Sequence, residues 1–236
     1  MKITGAGVLE IAEHEGLVLG PYKDSTGVWT YGVGHTSGAG DPLPRDMPRE
    51  DTRGWSKDRV RQEVMRALTI FDDDLDRFER RVNETIRVPL KPHQFDALVS
   101  FDFNTGAMTW RSRSGNPANL LREINSGDMS GDGFMGWTKP PEIIPRREDE
   151  QALFRTGDYS ANGDAIPLYD AHGDGTFSRR GSISGDELAG MMAGSRHPVS
   201  HPKARPGSES KRVGWSETIA AMLTEVWHAI KGGNRG

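Results

Sequence analysis

Three residues near the start of this 236-residue chain have the types and spacing for acid-catalysed chemistry. Glu15 ends an apolar-periodic segment and precedes Gly16. Asp24 stands nine positions later in the polar run Tyr22-Lys23-Asp24-Ser25-Thr26-Gly27, and Thr30 adds a hydroxyl six positions beyond that. Two carboxyl groups in unlike surroundings are what acid-catalysed glycoside cleavage requires, one protonated to serve the departing oxygen and one ionised. Glu15, followed by apolar Leu17, Val18 and Leu19, has the partly buried setting of the acid, while Asp24, beside Lys23 and Ser25, has the polar setting of the anion. An ionised Asp24 can orient a water as general base, or stabilise or attack a sugar cation. These roles demand carboxyl separations of about 6.5–9.5 Å and about 5–5.5 Å respectively, a difference that spacing along the chain leaves open.

The elements that must position these groups follow from periodicity. Val8, Leu9, Ile11 and Ala12 lie on one helical face that Gly16 ends. Val28, Trp29 and Tyr31, punctuated by Gly27, Gly32 and Gly34, read with residues 17–36 as a small antiparallel sheet. Val60, Val64, Leu68, Phe71, Leu75, Phe78, Val82 and Ile86 then form an apolar stripe about seven turns long, a spine for two lobes. Pro92 opens a helix running to Gly106, Asn116-Pro117 starts another that Gly127 stops, and Arg146 to Thr156 makes a third before Gly157. The fold class expected is α+β, predominantly α.

Composition bounds the rest. Only 34% of residues are apolar, Gly (29) and Pro (14) are plentiful, and cysteine is absent, so thiol chemistry and a disulfide framework are excluded. Glu10 and Glu13 interrupt the N-terminal apolar stretch before it reaches signal-peptide length, and no run approaches the ~20 residues of a membrane span. Residues 195–214 hold five basic residues against Glu209 alone, a basic tail on an acidic body.

The motif Glu15-x8-Asp24-x5-Thr30 resembles the catalytic signature of the phage-type lysozymes, glycoside hydrolase family 24. The flanks agree: His14-Glu15-Gly16, Tyr22-Lys23-Asp24, Gly32-Val33-Gly34-His35-Thr36, Gln94 to Phe101, Phe103-Asn104-Thr105-Gly106, Arg146-Arg147 and Ala152 to Gly157. The resemblance spans roughly residues 6–160 in order. It implies a two-lobed lysozyme-like fold and a muramidase that cuts the β-1,4 bond between N-acetylmuramic acid and N-acetylglucosamine. The family is regarded as inverting, which implies Glu15 as acid, Asp24 as the water's partner and Thr30 as its helper. It further implies Arg146 beside the acid, His35 tied to Asp74 on the spine rather than acting as a base, and Phe103, Asn104 and Asn119 near substrate. Phe103 reads equally as core, and Arg146 as a surface residue of a helix. No cofactor or metal is implied, nor nucleic acid, and a monomer is expected. The rival readings are a lytic transglycosylase on a similar fold and a non-catalytic wall-binding or tail-structural protein. Synthesis in a host cytoplasm is expected, with access to the wall after holin release or within a phage-like particle.

Two further stretches invite metal readings. Asp170 to Gly175 resembles the start of a calcium loop, but His172 and Gly181 occupy ligand positions, so it reads as a turn. His197 and His201, each before a proline, lack a carboxylate cluster nearby in sequence and read as linker. The domain organisation expected is a lysozyme-like domain over 1–160, an extension packed on it over 161–190, a linker over 191–214 and an amphipathic helix over 215–231. That helix carries Trp215, Ile219, Leu223, Trp227 and Ile230 on one face, and is expected to meet the body, a protein partner or a membrane surface.

Overall fold

The computed structural model describes residues 1–109, 119–159 and 166–198. Helix α1 (Gly5–Glu15) is capped by Thr4, whose hydroxyl accepts from the Gly7 N–H at 3.2 Å, and it ends at Gly16 with φ 71°. The chain then forms β1 (Leu17–Lys23), β2 (Trp29–Gly32) and β3 (His35–Thr36) as an antiparallel meander. Ser56 caps α2 (Lys57–Thr85), a 29-residue helix. At 1.5 Å per residue it is roughly 44 Å long, enough to connect two lobes. Its stripe is buried as the periodicity requires: Val64, Leu68, Phe71, Leu75, Phe78 and Val82 all lie inside.

The helical lobe is built around α3 (Pro92–Thr105), buried at every position from Gln94 onward. A helix can be buried all round only where neighbours cover each face. Here α1, α2, α5 (Ile144–Thr156) and the segment 132–136 do so, with Phe101 edge-on to Phe134 at 5.1 Å and Phe134 against Phe154 at 5.6 Å. Helix α4 covers Asn119–Asn125. The expected start at Asn116-Pro117 and the expected helix 215–231 lie outside the described residues.

The sheet is larger than the sequence reading. Residues 166–183 form β4 (Ile166–Ala171) and β5 (Phe177–Ile183), followed by α6 (Gly185–Met191). The strand order is β3-β2-β1-β4-β5, which makes β1 the central strand. Strand β4 pairs parallel to β1, with Leu17 opposite Leu168 and Val18 opposite Tyr169. A parallel neighbour needs a long crossover, and the whole helical lobe supplies it. One face of the sheet, with Leu17, Leu19, Tyr31, Ile166 and Leu168, joins the main core; the other carries a second cluster of Val18, Tyr22, Tyr169, Ala171 and Phe177. Among the described residues no helix is long and apolar enough to cross a membrane.

Beyond α6 the chain returns to the spine. His197 is buried against α2, its Nδ1 2.6 Å from Asp72 Oδ1 and its Nε2 3.0 Å from Glu79 Oε1, while Arg196 pairs with Asp73 and Asp76. The linker reading of these two residues is corrected on that point. Their binding partners come from α2, more than a hundred residues earlier, and no local pattern announces them. His201 lies outside the described residues.

Candidate active site

Glu15 sits at the last position of α1, where Gly16 turns the chain into β1. Its side chain is 9% exposed, and Oε1 accepts a 2.6 Å hydrogen bond from Arg146 Nη1. Arg146 is buried on α5 and forks further, from Nε to Glu150 Oε1 at 3.1 Å and from Nη2 to the Ser100 carbonyl at 3.4 Å. Glu150 is fully buried and also accepts from the Ser100 hydroxyl at 2.9 Å, with Arg147 Nη1 3.1 Å from its Oε2. Arg147 in turn donates to Asn104 Oδ1 at 2.7 Å. Two guanidinium groups and two carboxylates thus balance inside the helical lobe, the condition under which buried charge is tolerable.

Burial governs the titration of these groups. It opposes the charge on Arg146, yet the Glu15 and Glu150 carboxylates outweigh it and raise that group above its ordinary value. Arg147, with less compensation, is lowered to about 10, chiefly by burial. His14, next to Glu15, is lowered to about 4 by burial and then by the Arg146 charge. It therefore stays neutral at ordinary pH and adds no positive charge beside the acid. Tyr22 is raised by burial first and then by the Glu15 and Asp24 charges, so its phenol stays protonated where the two carboxyl groups meet the sheet.

Asp24 closes the turn between β1 and β2 and is 6% exposed. Its two oxygens are used differently. Oδ1 accepts from the Thr26 N–H at 2.8 Å, the Thr26 hydroxyl at 2.7 Å and the Val28 N–H at 2.9 Å. Among the described residues Oδ2 has one long hydrogen-bond contact, 3.5 Å from Thr30 Oγ1, a hydroxyl that also donates to the Val28 carbonyl at 3.2 Å. The turn fixes one oxygen and leaves the other, with Thr30 beside it, for an additional partner. Tyr22↔Thr30 pairing across β1 and β2 sets that juxtaposition.

The remaining expected residues divide. His35 Nδ1 lies 2.8 Å from Asp74 Oδ2 on α2, and Nε2 lies 2.9 Å from the Pro42 carbonyl. Burial works against its charge, but these two acceptors more than offset it and raise the imidazole. Of the two readings of Phe103, its packing matches the core one: its ring lies on Phe78 at 4.7 Å and edge-on to Phe71 at 5.7 Å, at the junction between α2 and α3. Asn104 is buried, and its Oδ1 accepts from Arg147 Nη2. Asn119 is exposed at the start of α4 and accepts from Arg122.

The sequence reading missed Glu150, which joins the two arginines. Its signal was present in the i+4 and i+3 spacing from Arg146 and Arg147, but a charged residue on a helix ordinarily faces water. The two metal readings resolve into protein contacts. Asp170 accepts from Thr52 Oγ1 at 2.9 Å and Arg180 Nη1 at 2.7 Å, and Asp174 closes its own turn onto Thr176. Asp76, Glu79 and His197 come close enough to share a cation, yet Lys2, 3.7 Å from both acids, and Arg196 already neutralise that corner.

A small sheet and a helical lobe joined by one long helix, with a carboxyl residue at either end of the central strand β1, define a lysozyme-type carbohydrate hydrolase. Residues 12–150 match the Phage lysozyme family model, and the chain belongs to that family. It is 31% identical over 169 residues to the endolysin of Acyrthosiphon pisum secondary endosymbiont phage 1, covering 66% of this chain and 99% of that protein. It is 30% identical over 161 residues to the endolysin of Salmonella phage P22, covering 65% and 98%. Among solved structures it is similar to the endolysin from Escherichia coli O157:H7 phage FAHEc1, at 25% identity and a TM-score of 0.51, covering 67% of this chain and 96% of that one. The protein is a peptidoglycan hydrolase of lysozyme type acting on the bacterial cell wall.

Proposed function

We propose that this hydrolase is an N-acetylmuramidase that cuts the β-1,4 bond between N-acetylmuramic acid and N-acetylglucosamine, with Glu15 as general acid and an Asp24-positioned water as nucleophile. The observation that carries this reading is the unequal use of the Asp24 oxygens. Three donors hold Oδ1, while Oδ2 and the Thr30 hydroxyl stand together and suit a water bound between them. Arg146 holds Oε1 of Glu15, which supports Oε2 as the oxygen that gives the proton to the departing sugar. As the glycosidic bond breaks, that proton moves to the leaving sugar's oxygen. The water then attacks the oxocarbenium-like carbon while Asp24 takes up its proton.

Glu15→Gln keeps the shape and removes the acid. General acid catalysis contributes roughly 10²–10⁴-fold, so this variant is expected to lose at least a hundredfold in the rate of wall clearing while still binding wall. A Glu15→Gln protein that clears walls at the full rate excludes the assignment. The same reading places the protein at the wall after release from a host cytoplasm, with the stretch 215–231 meeting a protein partner or membrane surface.

A further inference from the structure

The β4–β5 hairpin lies beyond residues 12–150, the part shared with the family, yet it touches the neighbours of both carboxyl residues. On one side, Tyr169 of β4 packs against Gly16, so closely that a Cβ there would fall 2.9 Å from its ring. On the other side, the Lys23 N–H donates to the Gly175 carbonyl in the hairpin turn at 2.7 Å, and Gly175 packs under Trp29. Glu15 and Asp24 are therefore each one residue from a hairpin contact.

The sheet face that results is continuous. Tyr22, which feels the charges of both Glu15 and Asp24, meets Phe177 edge-on at 5.1 Å, and Phe177 meets Tyr169 at 5.5 Å. Register places Arg179 directly opposite Tyr169, with its guanidinium 5.5 Å over that ring. Arg180 is spent on Asp170, but Arg179 is exposed and makes no ion pair among the described residues. Tyr22 and Tyr169 are buried beneath this face, Phe177 is half-buried at its surface, and the exposed Arg179 lies at its outer end.

We propose that the β4–β5 hairpin extends the substrate groove and that Arg179 binds a carboxylate of the peptides that peptidoglycan carries on its glycan strand. This rests on the muramidase reading above. The half-buried Phe177 offers an apolar edge beside the exposed Arg179, whose guanidinium suits a carboxylate through paired N–H donors. The hairpin makes the enzyme discriminate between peptide-bearing and bare glycan. Arg179 is a specificity-determining residue with no part in the chemical step.

The test compares the full-length protein with Arg179→Gln and Arg179→Lys on intact peptidoglycan and on the same glycan stripped of its peptides by an amidase. Exposed charge pairs give modest gains, so Arg179→Gln is expected to raise KM on intact peptidoglycan roughly two- to fivefold, with kcat kept and bare glycan unaffected. Arg179→Lys should recover part of the loss, and added salt should bring the wild type toward the Gln variant. Equal KM for wild type and Gln variant on intact peptidoglycan overturns the proposal, as does an equal loss on both substrates or a fall in kcat alone. A wild type that cuts neither glycan overturns the muramidase reading and this proposal together.

Discussion

Arg146 Nη1 lies 2.6 Å from Glu15 Oε1 across 131 residues of chain, joining the first helix to the last helix of the family segment. The same guanidinium reaches Glu150 and the Ser100 carbonyl, so the carboxyl group at the tip of α1 is fixed from the helical lobe. Removing one partner of a buried pair strands the others, at about 3–5 kcal/mol. Arg146→Met is expected to lower unfolding stability by about that amount in urea titration. Arg146→Lys should restore little, because one ammonium cannot span three acceptors. A Lys variant of wild-type stability would mean that the fork does not hold the site.

Thr30 has two acceptors within reach, Asp24 Oδ2 and the Val28 carbonyl. If its hydroxyl helps to hold the water, loss of one hydrogen bond to a charged group, about 1.5–3 kcal/mol, predicts that Thr30→Ala lowers kcat roughly tenfold to hundredfold. Thr30→Ser should retain most of the rate. Steady-state kinetics on peptidoglycan fragments checks this, and equal rates for the Ala and Ser variants would remove Thr30 from the mechanism.

Gly16 links the acid to the sheet at φ 71° and ψ 178°, a region open essentially to glycine. Gly16→Ala adds backbone strain of order 1–3 kcal/mol and drives a Cβ toward Tyr169. Both effects push Glu15 and β4 apart. The variant is expected to lose stability by at least that strain and to lose activity more than a stability loss alone accounts for. A thermal melt and a rate measured well below the melt separate the two.

The His197 clasp has a pH signature. Burial opposes its charge, but Glu79 and Asp72 outweigh this and raise it above its ordinary 6.5; this contribution is complete below about pH 6.5 and is lost as pH rises through the higher folded value. Burial likewise opposes ionisation of Glu79, but His197 and the Ile3 N–H lower it below its ordinary 4.5. That contribution is present above about pH 4.5 and is lost as pH falls through the lower folded value. Lys2, Asp76 and Arg196 face the same cluster. The Tm difference between wild type and His197→Gln is therefore expected to be largest between about pH 4.5 and 6.5 and to shrink on either side. A difference independent of pH would contradict the clasp.

Much of this architecture was legible in residue patterns. The stripe from Val60 to Val82 needs no tertiary information to read as a long helix, and Gly16, Gly106 and Gly157 mark helix ends by backbone freedom alone. The pairs Glu15–Arg146 and His35–Asp74 were named through family resemblance, since nothing local links residues so far apart, and they stand in contact. Strand β5 was illegible because Ser178-Arg179-Arg180-Gly181-Ser182 has no apolar alternation. It is a strand because β4 offers it a ladder, and β4 because β1 has an open edge. Glu150 and His197 were missed for one common reason: a polar residue looks solvated until the distant partner that buries it is known.

In the proposed mechanism Asp24 directs a water onto the sugar carbon after Glu15 protonates the leaving oxygen. Mass spectrometry of peptidoglycan digested by the full-length protein in ¹⁸O-water tests it most directly. Every cut is expected to leave a reducing N-acetylmuramic acid end carrying one ¹⁸O, and Asp24→Asn to suppress those ends. Products ending in anhydro-sugar without ¹⁸O would contradict it, because the sugar's own hydroxyl, rather than water, would then have closed the reaction.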